Sequence, residues 1–178
     1  MLPFYRGRCI DMKLYMKERI VSLTDNFDIK DGRNKPVYRV KGKMFSIGRK
    51  FKIYDAQSNE ELAQVSEKIV SLLPQMTVKV HGKTVTKIKK KLTLFKDRYK
   101  LTDIGWYIEG DIMDYRYSIY NEDKQRVAKI RKKLVSLSDS FVIDIEDKSI
   151  DPIYVVAVVL AIDMVRDKER EEIQEANS

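Results

Sequence analysis

The chain has 178 residues, of which 43% are apolar and 35% charged, and its net charge is +8. That much apolar material buries one core of ordinary domain size and excludes a disordered or collagen-like chain. One cysteine, Cys9, excludes an intramolecular disulfide framework and suits a reducing cytoplasm, while the positive excess favours anionic partners as well as plain solubility.

Residues 1–11 hold no apolar run of signal-peptide type and fit the later pattern poorly, so they read as an N-terminal extension. Met12-Lys13 then looks like the natural start of a single domain over 12–175. Soon after it a short phrase begins to recur. It reads Arg19-Ile20-Val21-Ser22-Leu23, then Lys68-Ile69-Val70-Ser71-Leu72, then Lys133-Leu134-Val135-Ser136-Leu137. One such match at a given position has odds on the order of one in 100,000 at average composition, so three copies are a repeat.

Downstream of each valine the pattern continues. Leu23, Leu72 and Leu137 come first, then Phe27, Met76 and Phe141, then Ile29, Val78 and Ile143. Apolar residues two apart mark one face of a strand. The intervening Thr24-Asp25-Asn26, Leu73-Pro74-Gln75 and Ser138-Asp139-Ser140 are turn-like, which makes each unit a β-hairpin. Thr93, Phe95, Tyr99 and Leu101 supply a degenerate fourth copy. The segments between also correspond. Tyr38–Gly42 resembles Tyr107–Gly110, Phe51–Asp55 resembles Tyr117–Asn121, and Leu62–Val65 resembles Val127–Ile130. Tight turns are expected at Asp31-Gly32, Ser58-Asn59 and Glu122-Asp123. The pattern predicts two similar halves, about 14–82 and 83–150, each of some six short strands, closed into a barrel or sandwich.

Asp151-Pro152 then opens a helix, with Asp as cap and Pro in the first position. Ile153 through Ile162 is apolar without a break, so the helix of about 152–175 is buried on all sides, Ile153, Val156, Val159 and Leu160 included. At 1.5 Å per residue this apolar part spans roughly 15–20 Å. That matches a short barrel strand and falls well below the ~30 Å bilayer core, so no transmembrane segment is expected. A further β-strand is the alternative, because Val and Ile favour strands. The charged run Arg166–Glu172 should protrude once the apolar part fills the barrel.

No catalytic constellation stands out. His81 is the single histidine, beside Gly82 in a loop between the halves. No Gly-Xaa-Ser-Xaa-Gly elbow or Gly-rich phosphate loop is present. The carboxylates Asp103, Glu109, Asp111 and Asp114 suit turns and exposed faces better than acid–base chemistry. The aromatics Tyr99, Trp106, Tyr107, Tyr115, Tyr117 and Tyr120 suit barrel wall better than base stacking. The expectation is a non-enzyme with no cofactor and no metal.

Basic clustering is the functional signal. One cluster holds Lys79, Lys83, Lys87, Lys89, Lys90, Lys91, Lys96, Arg98 and Lys100. Lys87, Lys89 and Lys91 alternate and so share one strand face; with Arg98 they form the candidate anionic-ligand site. A second cluster is Arg39, Lys41, Lys43, Arg49, Lys50 and Lys52, and a third is Lys124, Arg126, Lys129, Arg131, Lys132 and Lys133. The competing reading is that Lys keeps strand edges from pairing with other chains.

Several segments taken in order resemble the LURP-one-related (YxjI-like) family. They are Phe27–Gly32, Val37–Gly42, Phe51–Asp55, Ile69–Leu72 and the Asp151–Ile162 helix start, and the likeness runs from about Met12 to Val165. The resemblance implies a mainly β (α+β), tubby-like fold: a twelve-stranded antiparallel barrel of two similar halves enclosing a hydrophobic C-terminal helix. That family shares its fold with tubby C-terminal domains, which bind phosphoinositides through basic side chains, and by similarity with phospholipid scramblases. The tubby ligand motif does not map onto positions of this sequence. With one cysteine and no acidic calcium loop, the chain departs from the scramblases. The leading expectation is therefore a cytoplasmic domain, peripheral to membranes, that binds an anionic lipid or an acidic protein. A protein-interaction or structural module using the Arg166–Glu172 tail is the alternative, and nucleic acid ranks below both.

Overall fold

The structure is a computed structural model, and it describes residues 13–17, 26–45, 48–68, 75–89, 99–133 and 140–177. Twelve strands come first: β1 (Lys13–Lys17), β2 (Asn26–Asp31), β3 (Pro36–Phe45), β4 (Gly48–Asp55), β5 (Glu61–Lys68), β6 (Gln75–Val80), β7 (Lys83–Lys89), β8 (Tyr99–Leu101), β9 (Trp106–Asp111), β10 (Arg116–Asn121), β11 (Arg126–Lys132) and β12 (Ser140–Ile145). One helix, α1 (Pro152–Ala176), follows. Alternation builds the strands. In β6, Met76, Val78 and Val80 are fully buried, while Gln75, Thr77 and Lys79 face outward.

All twelve strands form one antiparallel sheet in the order β7-β6-β5-β4-β3-β2-β1-β12-β11-β10-β9-β8. The first strand thus lies between β2 and β12, and the sheet curls until its ends, β7 and β8, approach each other. Those two ends share no ladder among the described residues, which form a nearly closed barrel. The repeated phrases themselves, Arg19–Leu23, Ile69–Leu72, Thr93–Phe95 and Leu134–Leu137, lie outside the described residues. Around them, β1 pairs with β2, β5 with β6, and β11 with β12, as hairpins require. Of the fourth copy, Tyr99 and Leu101 lie on β8, at one end of the sheet.

Register places Gly42 opposite Phe51 and Gly110 opposite Tyr117. Counting back from each glycine, Trp106 rather than Tyr107 holds the place of Tyr38, a one-residue correction to the repeat. Period two explains it, since Tyr38 and Trp106 both point inward and are 3% exposed. Gly110 has φ +115°, and a Cβ there would come within 2.5 Å of the Arg116 carbonyl, so this strand end requires glycine.

Helix α1 starts where the sequence indicates. The Asp151 carboxylate accepts the Ile153 N–H at 3.1 Å, and Pro152 takes the first helical position. Twelve strands about 4.8 Å apart, tilted by about 40°, close to a barrel roughly 24 Å across. That leaves an interior for one helix about 10–12 Å wide. Helix α1 fills it: every residue from Ile153 to Arg166 is buried, with Val156, Val159 and Leu160 at zero exposure. No described helix is long and apolar enough to cross a membrane.

Candidate functional site

The outer wall of β3 and β4 carries a dense basic array. Register sets Lys41 directly opposite Lys52, and Lys43 directly opposite Lys50. These four lysines and Tyr54 line a depression of about 510 Å³. Cross-strand like charges destabilise a sheet by roughly 0.2–1 kcal/mol per pair. Two such pairs side by side therefore need an offsetting reason. Their lateral neighbours are neutral: Asn26 is opposite Lys41, Gln64 opposite Lys52, and Ser66 opposite Lys50. Glu61 supplies one anionic contact: its carboxylate accepts from Lys52 Nζ at 2.7 Å and raises the lysine pKa above its ordinary value. Lys41 Nζ lies 4.7 Å from the centroid of the Tyr54 ring. The array is a cationic cup with one aromatic wall, suited to a compact, multiply charged anion.

Of the site expected from the sequence, Lys87 is exposed on β7, the edge strand, about three strand spacings or roughly 14 Å from β4. Lys89 ends β7, and its side chain lies outside the described residues, as do Lys91 and Arg98. The third cluster sits around β11, five strands from β4, and is partly neutralised. Arg126 meets Glu146 at 2.9 Å, and Arg131 meets Asp144 at 3.7 Å. In the second cluster, Arg39 contacts Asp28 at 3.4 Å. Arg49 does not belong to the surface, because strand parity turns it inward with Phe51 and Ile53, and it is 7% exposed.

Arg49 belongs to a buried ionic network around the last enclosed turns of α1. Its Nε contacts Glu67 at 3.4 Å, and its terminal nitrogen donates to the Met164 carbonyl at 3.2 Å. Lys168 also pairs with Glu67. Asp163 accepts from the Tyr115 hydroxyl at 2.7 Å and lies 3.1 Å from Arg166, whose guanidinium covers the Tyr115 ring at 3.6 Å. Arg170 donates to the Met113 carbonyl at 3.1 Å. Burial, then the Asp163 charge, pushes Tyr115 and Tyr117 far above the ordinary tyrosine value. The expected protrusion of the run Arg166–Glu172 is thereby corrected for Arg166 and Glu169. Arg166 and Glu169 are 1% and 5% exposed, and Arg166 is held by Asp163 and Asp167 of its own helix and by the Tyr115 ring of the wall. In the last turn, Ile173 is 52% exposed.

The remaining candidates are dispersed. Among the described residues no three of His, Cys, Asp and Glu converge as a metal set. His81 is exposed in the β6–β7 turn, 3.4 Å from the Asp151 carboxylate. Arg116 contacts both Asp111 and Asp114. Trp106, Tyr115 and Tyr117 face the core, and Tyr107 stacks on Tyr120 at 5.3 Å within the wall.

An antiparallel twelve-stranded barrel, all but closed and plugged by its C-terminal helix, defines the tubby-like architecture. The chain belongs to the LURP-one-related family, whose model matches residues 12–163. It is similar to the uncharacterized protein YxjI of Bacillus subtilis (strain 168), with 29% identity over 154 residues, covering 86% of this chain and 93% of that protein. It also superposes on the X-ray structure of a protein from Arabidopsis thaliana with a TM-score of 0.51 at 18% identity. That superposition covers 88% of this chain and 93% of the other, and it shows a shared fold.

Proposed function

We propose that the chain is a non-enzymatic, cytoplasmic binding module that takes an anionic membrane headgroup on the outer wall of its barrel. The observation that carries this reading is the pair of directly opposed lysine pairs, Lys41 with Lys52 and Lys43 with Lys50, lining one depression. A bound phosphate group offsets their mutual repulsion, and the filled barrel interior leaves the outer wall as the place for a ligand. Each lysine near an anionic surface contributes about 1 kcal/mol. Reversing two, Lys43→Glu with Lys50→Glu, should therefore weaken recruitment about 30-fold or more. Sedimentation with vesicles containing phosphatidylserine, against neutral vesicles at low salt, measures this. Equal recruitment to both vesicle types, or a charge-reversed chain that binds as before, would sink the reading.

A further inference from the structure

The lysine cup on β3 and β4 holds its charges in a fixed pattern. Lys41, Lys43, Lys50 and Lys52 stand at the corners of a rectangle, since cross-strand partners lie about 5 Å apart and alternate residues of one strand about 7 Å apart. Val40, Phe51 and Ile53 alternate with them and are buried, so strand parity commits all four lysines to the outer face. Each ammonium group carries three donors on a flexible stem, so the four can converge above the rectangle. Glu61, from β5, holds Lys52 at 2.7 Å. Four ammonium groups less this one carboxylate give the cup a charge of +3. Lys41, Lys43 and Lys50 mark its other three corners.

Phosphate esters differ in what they offer such a cup. A phosphodiester headgroup has two terminal oxygens and a single negative charge. A phosphomonoester has three terminal oxygens and a charge of about −1.5 to −2 near neutral pH. Centred over the rectangle, its three oxygens accept charge-assisted hydrogen bonds from Lys41, Lys43 and Lys50 together. A phosphodiester satisfies one opposed pair and leaves the other largely uncompensated. Tyr54 supplies the lipid side of the argument. Tyrosine rings settle at the level of lipid headgroups, and this one forms the aromatic wall, 4.7 Å from Lys41 Nζ. The Lys52 and Glu61 side chains are 35% and 40% exposed, so their pair is weak enough for an arriving anion to open.

We propose that the cup selects a lipid with a phosphomonoester headgroup over lipids with phosphodiester headgroups, and that Glu61 attenuates its affinity by holding Lys52. The inference rests on the headgroup reading above and adds to it the ester class of the phosphate.

The test is sedimentation of the full chain with phosphatidate vesicles and with phosphatidylglycerol vesicles of matched surface potential. Phosphatidate should bind about tenfold more tightly at about pH 7.5. The preference should fall to about twofold at about pH 5, where the monoester has regained its second proton. Lys43→Gln with Lys50→Gln should abolish the preference, and Lys148→Gln, in the loop before α1, should leave it intact. Glu61→Gln should strengthen phosphatidate binding about fivefold. Glu109→Gln makes the same change of charge on β9, seven strands along the sheet from β4, and should not. Equal binding to the two anionic vesicles would overturn the selection while leaving the headgroup reading in place, and binding to neither would overturn both. A preference that survives the loss of Lys43 and Lys50, or a Glu61→Gln chain no tighter than Glu109→Gln, would overturn the assignment to this cup. Tighter binding of a phosphoserine peptide than of phosphatidate vesicles would overturn the lipid.

Discussion

Replacing Asp163 by leucine tests whether the ionic network inside the barrel is held together by mutual pairing. Asp163 and Arg166 each have side chains 1% exposed and lie 3.1 Å apart. Without the carboxylate, the guanidinium keeps Asp167 at 3.2 Å and the Tyr115 ring, and the Tyr115 hydroxyl loses its acceptor. Breaking a buried pair from one side costs about 3–5 kcal/mol, a large share of the roughly 5–15 kcal/mol that holds a domain folded. At about 2–4 °C per kcal/mol for a chain of this size, the melting temperature should fall by about 6–20 °C. Arg166→Met should cost a similar amount, since it strands the carboxylate instead. The double variant should cost well under the sum, with a coupling energy of at least ~2 kcal/mol. Urea unfolding reports this through Trp106, the single tryptophan, which is 3% exposed and should redden on unfolding. Singles that add to within about 0.5 kcal/mol in the double variant would refute the pairing argument.

Two further outcomes follow from the buried helix and its tyrosines. Val158 is fully buried in the middle of α1, so Val158→Asp should abolish native folding; a soluble variant with native circular dichroism would contradict the enclosed helix. Tyr115 and Tyr117 have folded-state pKa values well above their reference of 10.0, so both stay protonated in the folded chain as pH rises past 10 while the unfolded chain releases their protons. Their stabilising contribution is complete below pH about 10 and is lost above it, at about 1.4 kcal/mol per pH unit for each tyrosine. The urea midpoint should drop steeply there, less so in Tyr115→Phe with Tyr117→Phe; equal slopes in the two chains would count against it.

Much of the fold is legible in the residues because each piece of it has a period. Gln75–Val80 alternates, and Ile153–Ile162 is apolar throughout behind an Asp-Pro start; one is a strand and the other a plug on those grounds alone. The ionic network was not legible, because its partners are remote in sequence. Lys168 and Glu67 are 101 positions apart, and Arg49 and Met164 are 115 apart. One local signal was available. Arg49 shares parity with Phe51 and Ile53, and Glu67 with Ala63 and Val65, so both charges stand on apolar faces. The same parity separates Lys50 and Lys52 from Arg49, reducing a loose run of basic residues to the four that share a depression. The run around Lys87 reads more strongly as sequence, yet the described part of it is an edge strand, where lysine also guards against pairing with other chains.

The pairing of β1 with β12 has a consequence for how the chain comes to be built. Synthesis delivers β1 first, but its partner arrives only after more than one hundred residues have been added, between Lys17 and Ser140. The helix that the wall must surround comes later still. A wall made from β1 to β11 alone would be an open, curling sheet with its apolar face to water and no plug to wrap. Assembly must therefore wait until α1 has left the ribosome, and the order of synthesis runs outside-in while packing runs inside-out. Such long-range closure makes for slow folding and for a nascent chain with prolonged need of protection from aggregation.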